Sequence, residues 1–297
     1  MAGIFGRQAL WNRLCRRKNM RTVAALQAWN NFSAYYAEQL GNYLEDYDFT
    51  ITYNQKRDYL DQFDIIWSFF PTRHPNGLEH KLVKTFWEPH EMGYKLGKVN
   101  VACSKYSHNM LINKDENAIL APLGFNPEHF YPSRITEGKL KVGWCGSYKN
   151  PRKQFEKLKE VVDDIEGVEF VPNCVTMDKG TIQGNFEMNE MVDYYKTIEV
   201  YVCASASEGF GLPIMESMAC GKPVVSFPVG IVPDIHERNP KAIRMVSMND
   251  WDGLVKQIEL IRDADVDYEE TCKIAEASDY YNLKNIAPIW KKVFDRI

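Results

Sequence analysis

The chain has 297 residues, 45% of them hydrophobic and 26% charged, with a net charge of −4. That balance suits a soluble globular protein of two ordinary domains, and its acidity weakens the case for nucleic acid as a partner. No apolar run approaches the ~20 residues that span a bilayer.

Seven dispersed cysteines show no C-x-x-C pair and no Cys/His spacing suited to zinc. They point to reduced thiols and a cytoplasmic protein. The N-terminal stretch "MAGIFGRQALWNRLCRRKN" lacks the apolar core and cleavage site of a signal peptide. Arg7, Arg13, Arg16, Arg17, Lys18 and Arg21 all precede the first acid, Glu38. This basic segment reads as a solvated amphipathic helix; the alternative is contact with an anionic surface, either nucleic acid or a membrane to which the protein is peripheral.

In chain order, "MRTVAALQAW" predicts a strand and "NNFSAYYAEQLGNYLEDY" an amphipathic helix capped near Asn30. "DFTITYN", "FDIIWSFF", "KLVKTFWEP" and "VNVACS" predict further strands, and "NAILAPLGFNPEHFYP" a short strand with a Pro-rich exit. A second unit opens at "KLKVGWCGS". It continues with a helix "RKQFEKLKEVVDDI", a strand "VEFVP", a helix "EMNEMVDYYKT" and a strand "IEVYVCAS". The strands "KPVVSFP" and "IRMV" follow, then two helices around "WDGLVKQIELIRD" and "YNLKNIAPIWKKVFDRI". Strands alternating with helices indicate parallel sheets with crossover connections. The expected division is 1–135 for a first domain and 136–280 for a second, with 281–297 a last helix. Both domains read as doubly wound and Rossmann-like, facing across a cleft.

The most informative stretch is "SASEGFGLPIMESMACGKPVVS", residues 205–226. It places Glu208 at the end of a buried strand and Glu216 in the expected first turn of a helix opened by Pro213. Gly209 and Gly211 let backbone approach a ligand, and the helix N-terminus suits a phosphate. Carboxylates would repel that phosphate, so their natural partners are hydroxyls. A sugar nucleotide offers both.

"EGFGLPIMESMACGKPVV" resembles the Glu-x7-Glu signature of retaining GT-B glycosyltransferases, the large family four. "VGWCGSYKNPRKQFEKL" is similar to that family's glycine loop, and "APLGFNPEHFYP" to its interdomain segment. The resemblance implies transfer of a hexose from a nucleoside-diphosphate sugar to an acceptor hydroxyl, with retention of configuration. It implies no catalytic metal and no cofactor beyond the nucleotide sugar, with UDP favoured. Glu216 would hold the ribose, and Glu208 the donor sugar. Gly209, Phe210, Gly211 and Leu212 would offer backbone amides, beside Gly146 and Ser147. Arg152 and Lys153 would neutralise the diphosphate, and His90 would approach the donor sugar. Ser147 stands where many members carry arginine, leaving Arg152 or Lys149 as the substitute.

Basic residues opening a helix oppose its dipole, so Arg152 and Lys153 together suggest an anion nearby. His74 and His80 read as surface groups, and "DVD" at 265–267 as a turn. Trp29, Tyr35, Tyr36, Trp67 and Trp87 are candidates to stack on a sugar, with core packing as the competing role for most. The first half lacks the family's Gly-Gly loop. The competing class is a catalytically idle nucleotide-sugar-binding or scaffolding relative. The acceptor, whether glycan, lipid, protein or modified nucleic acid, is not legible.

Overall fold

A computed structural model describes residues 20–26, 31–69, 77–87, 91, 93–133, 138–174, 176–178, 181–183, 186, 190–264 and 268–297. His90, His74, Trp29, Asn30, the basic run from Arg7 to Lys18 and the tripeptide 265–267 lie outside the described residues.

The first half contains β1 (Arg21–Leu26), α1 (Asn31–Gly41), β2 (Tyr47–Thr52), α2 (Arg57–Leu60), β3 (Ile65–Ser68), β4 (Leu82–Phe86), β5 (Val99–Ala102), α3 (Lys105–Leu111) and β6 (Ile119–Leu120). Its strands run parallel in the order β2-β1-β3-β4-β5-β6. The strand Ile65–Ser68 is buried at every position, as is Val99–Ala102. Burial on both faces explains their near-continuous apolar runs in place of alternation.

The second half contains β7 (Leu140–Gly146), α4 (Phe155–Asp163), β8 (Val168–Cys174), an antiparallel hairpin of β9 (Thr176–Asp178) and β10 (Thr181–Gln183), then α5 (Met191–Lys196) and β11 (Val200–Cys203). Beyond these come α6 (Leu212–Ala219), β12 (Val224–Ser226), α7 (Val232–Arg238), β13 (Ile243–Met245), α8 (Trp251–Arg262), α9 (Tyr268–Ala277) and α10 (Leu283–Phe294). The parallel sheet has the order β8-β7-β11-β12-β13. The chain therefore winds outward in both directions from β7. In such a sheet the loops leaving β7 and β11 diverge and open a crevice at their carboxyl ends.

The last helix belongs to the first core. Trp290 is fully buried, with its ring 4.7 Å from that of Trp67. Its indole N–H donates to the Pro122 carbonyl at 2.9 Å. The Tyr47 hydroxyl donates to Asp295 at 2.5 Å, and the Arg21 guanidinium to the Phe294 carbonyl at 3.2 Å. Where the chain arrives at α10, it also touches the segment leading out of the first sheet. A Cβ on Gly124 would lie 2.8 Å from the Tyr281 carbonyl oxygen.

Two local expectations are corrected. The helix does not open at Arg152: residues Pro151–Lys153 form a 3-10 turn, Gln154 takes a left-handed conformation at φ 49°, and α4 starts only at Phe155. The Asn150 side chain accepts from the Arg152 amide at 3.1 Å and caps this turn. Lys153 therefore projects from a loop, and the helix-dipole argument does not apply to it. Glu216 stands one residue further into α6 than a start at Pro213 would place it, since the helix begins at Leu212 and its first turn holds no acid.

Candidate active site

Three loops meet at the carboxyl end of the second sheet. The first, after β7, runs from Gly146 to Gln154, and the second, after β11, runs through Glu208 to Gly211. The Ala206 amide donates to the Arg152 carbonyl at 2.7 Å and ties these two together. The third follows β12. There the Ile231 amide donates to the Phe210 carbonyl at 2.9 Å. Gly230 has φ 54°, and a Cβ there would sit 2.1 Å from the Phe210 carbonyl oxygen and 3.3 Å from Glu208 Cβ. Only glycine fits this position, which fixes the backbone under Glu208.

Lys153 and Glu208 join across the crevice. Lys153 Nζ lies 2.5 Å from Glu208 Oε1, with side-chain exposures of 23% and 15%. The lysine stem passes over Gly146, where a Cβ would meet Lys153 Cδ at 3.5 Å. Burial works against the ammonium charge, yet the neighbouring Glu208 carboxylate outweighs it and holds the lysine above its ordinary value. Lys153 is thus a fixed cation at neutral pH.

Glu216 is the second carboxylate. It projects from α6, is only 6% exposed, and accepts a hydrogen bond from the Tyr195 hydroxyl at 2.8 Å. Burial pushes it up to about 7 against the opposing effect of that bond. Tyr195 comes from α5, twenty-one positions away, and its role has no signal in sequence spacing.

At the head of α6, Gly211 takes φ 96° and Pro213 falls in the first turn. Pro213 has no amide N–H, and the Ile214 and Met215 amides donate to the Gly211 carbonyl at 3.0 and 3.4 Å, so it is Leu212 that presents an amide at the positive dipole end of this helix. Ser147 is half-buried, and its carbonyl accepts from the Asn150 amide at 3.0 Å. Arg152 is exposed, and it shapes the site through its backbone. Lys149 is also exposed, its ammonium 5.7 Å from the centre of the Tyr148 ring. Among the described residues no cluster of three or more His, Cys, Asp or Glu side chains could hold a metal ion. Nor is any described helix long and apolar enough to cross a membrane.

The first half reaches the site through Trp87. A Cβ on Gly209 would lie 2.7 Å from Trp87 Cβ and 3.1 Å from its carbonyl oxygen. The Trp87 indole donates to the Phe69 carbonyl at 2.5 Å, and its amide to the Glu91 carboxylate at 2.5 Å. Of the other aromatic candidates, Tyr36 and Trp67 are core residues. A second bridge between the halves pairs Lys105, at the start of α3, with Asp234 at 3.6 Å and Glu237 at 3.3 Å on α7.

Residues 174–277, which include both glutamates, match the model of the family described as glycosyl transferases group 1. The chain carries a glycosyl transferases group 1 domain. Over the described residues the chain has the GT-B fold, two Rossmann-like parallel-sheet domains. A sucrose-phosphate synthase from Thermosynechococcus elongatus superposes with TM-score 0.74 at 14% identity, over 93% of this chain and 98% of that one. Anabaena HepE in complex with UDP and glucose gives 0.70 at 12% identity, over 94% and 100%.

Sequence relatives align over shorter stretches. The GtfA subunit of a UDP-N-acetylglucosamine–peptide N-acetylglucosaminyltransferase from Streptococcus parasanguinis is 26% identical over 43% of this chain and 23% of its own length. The O-antigen chain mannosyltransferase RfbU from Salmonella typhimurium is 29% identical over 45% and 34%. The matched stretches of this chain thus span about a quarter to a third of the length of these relatives.

Proposed function

We propose that the protein transfers a hexose from a nucleoside-diphosphate sugar, a UDP-sugar foremost, to an acceptor hydroxyl with retention of anomeric configuration and without a metal. The observation that carries this reading is the Lys153–Glu208 pair at the branch point of the second sheet, with Glu216 on the helix that follows the Glu208 loop.

In this reading the ribose hydroxyls donate to Glu216, replacing or joining Tyr195. The diphosphate lies against Lys153 and the amides at the head of α6, with Arg152 on its outer side. Glu208 orients Lys153 and accepts from a donor-sugar hydroxyl. The bond from the anomeric carbon to the phosphate oxygen breaks as the acceptor oxygen bonds to the same face. The departing phosphate takes the acceptor's proton, so no protein base is required. Fixed charges aimed at a leaving group account for a large share of such a rate enhancement. The similarity to HepE solved with UDP and to transferases of UDP-N-acetylglucosamine favours UDP.

The test is release of nucleoside diphosphate from UDP-sugars, first with water and then with acceptor. Release is expected from the native chain and should vanish in Glu216→Ala. NMR of the glycosylated product should show the donor's anomeric configuration; an inverted product rejects the same-face step.

A further inference from the structure

Tyr35 lies on α1 of the first half, and its hydroxyl is buried with no hydrogen-bond partner among the described residues. Its chain neighbour differs: the Tyr36 hydroxyl accepts from the Gly124 amide at 3.2 Å. Buried polar groups are almost always paired, so an unpaired phenol points to a partner met in another state of the molecule. The other such hydroxyl among the described residues, Ser133, sits at the C-terminal end of α6, where its amide donates to the Cys220 carbonyl and its own carbonyl accepts from Lys222. Of the two, Tyr35 lies against the run of rings that leads to Glu216.

Its surroundings give the direction. The Tyr35 ring meets His129 edge-on at 6.5 Å, and the adjoining Phe130 ring lies 6.1 Å from that of Tyr195. Tyr195 in turn holds Glu216. Burial raises the Tyr35 phenol first, and the Glu216 carboxylate is the leading charge that adds to it, ahead of Glu38. The phenol therefore stays protonated and can donate.

We propose that Tyr35 donates a hydrogen bond to the ribose that Glu216 holds, so that the first half contributes directly to nucleotide binding. A ribose hydroxyl can accept from the phenol while donating to the carboxylate, so the two side chains can hold one hydroxyl together. The proposal rests on the nucleotide-sugar reading above and names a residue that reading lacks. Binding nucleotide at both Tyr35 and Glu216 would draw the halves together.

The experiment is calorimetric titration of UDP, with GDP and ADP alongside, into the wild type, Tyr35→Phe and Glu216→Gln. Tyr35→Phe should bind UDP about tenfold more weakly, the value of one hydrogen bond of this kind. Its ligand-free melting temperature should not fall, because the change removes only an unpaired hydroxyl. With 2′,3′-dideoxyuridine diphosphate the gap between wild type and Tyr35→Phe should close. Equal UDP affinity for these two proteins overturns the Tyr35 assignment, as does a gap that persists with the dideoxy nucleotide. If Glu216→Gln weakens binding while Tyr35→Phe does not, the nucleotide reading stands and this one falls. If the wild type binds none of the three diphosphates, both fall.

Discussion

Lys153 and Glu208 leave different strands of the second sheet and meet at 2.5 Å, each largely shielded from water. The contact ties the loops after β7 and β11 together and, in the proposed function, sets a positive charge against the diphosphate. Either residue alone would be a buried charge seeking a partner.

Lys153→Ala should lower the transfer rate by about 10²–10³ and cost roughly 1–3 kcal/mol of stability, because Glu208 is left unpaired. Glu208→Gln should retain more stability while still losing rate. Chemical denaturation and steady-state kinetics on the two single variants and the double variant would check this. Additive losses would show that the pair does not act as a unit.

Glu216 gives a pH dependence whose sign can be worked out. Its folded value lies above the ordinary carboxylate value, at about 7. The stability this group contributes is full below the unfolded value and is lost as pH rises through about 7. The wild type and Glu216→Gln should therefore melt alike near pH 4, and the wild type should melt lower at pH 8. Nucleotide affinity should run the other way, since the ionised carboxylate is the better acceptor. UDP should bind about tenfold more weakly at pH 6 than at pH 8, and Glu216→Gln should show no such trend.

Gly209→Ala places a methyl 2.7 Å from Trp87 Cβ and beside its backbone. Neither neighbour is the loose end of a flexible chain, so the halves must separate or the loop must deform. The expected result is a stability loss of about 1–3 kcal/mol together with loss of transfer activity. Unfolding curves and kinetics at matched temperature would show a disagreement directly.

Trp290→Ala should cost about 3–5 kcal/mol by opening a cavity under the first sheet and stranding the Pro122 carbonyl. Because Trp290 packs on Trp67, proteolysis in the variant should expose the first half before the second. Unchanged resistance there would contradict the placement of α10.

The strands themselves were legible because parallel strands buried on both faces leave short β-branched runs, as in Ile65–Ser68 and Val200–Cys203. The glutamate stretch was legible because its glycines, proline and spacing are local. Helix α9 was not read, since the described part of its buried face is narrow, chiefly Thr271 and Ile274. Its Thr271 fits against Gly221, where a Cβ would meet Thr271 Cγ2 at 2.3 Å, a close approach no local pattern announces. The late start of α4 was hidden because Gln154 carries no turn signal of its own. Tyr195 and Trp87 belong to the site through contacts between distant segments, which periodicity cannot encode.

The most direct measurement is a structure of the protein with UDP bound. The account predicts the ribose within hydrogen-bond distance of Glu216 and the diphosphate against Lys153 and the head of α6. A nucleotide bound elsewhere, with Glu216 still held only by Tyr195, would contradict it.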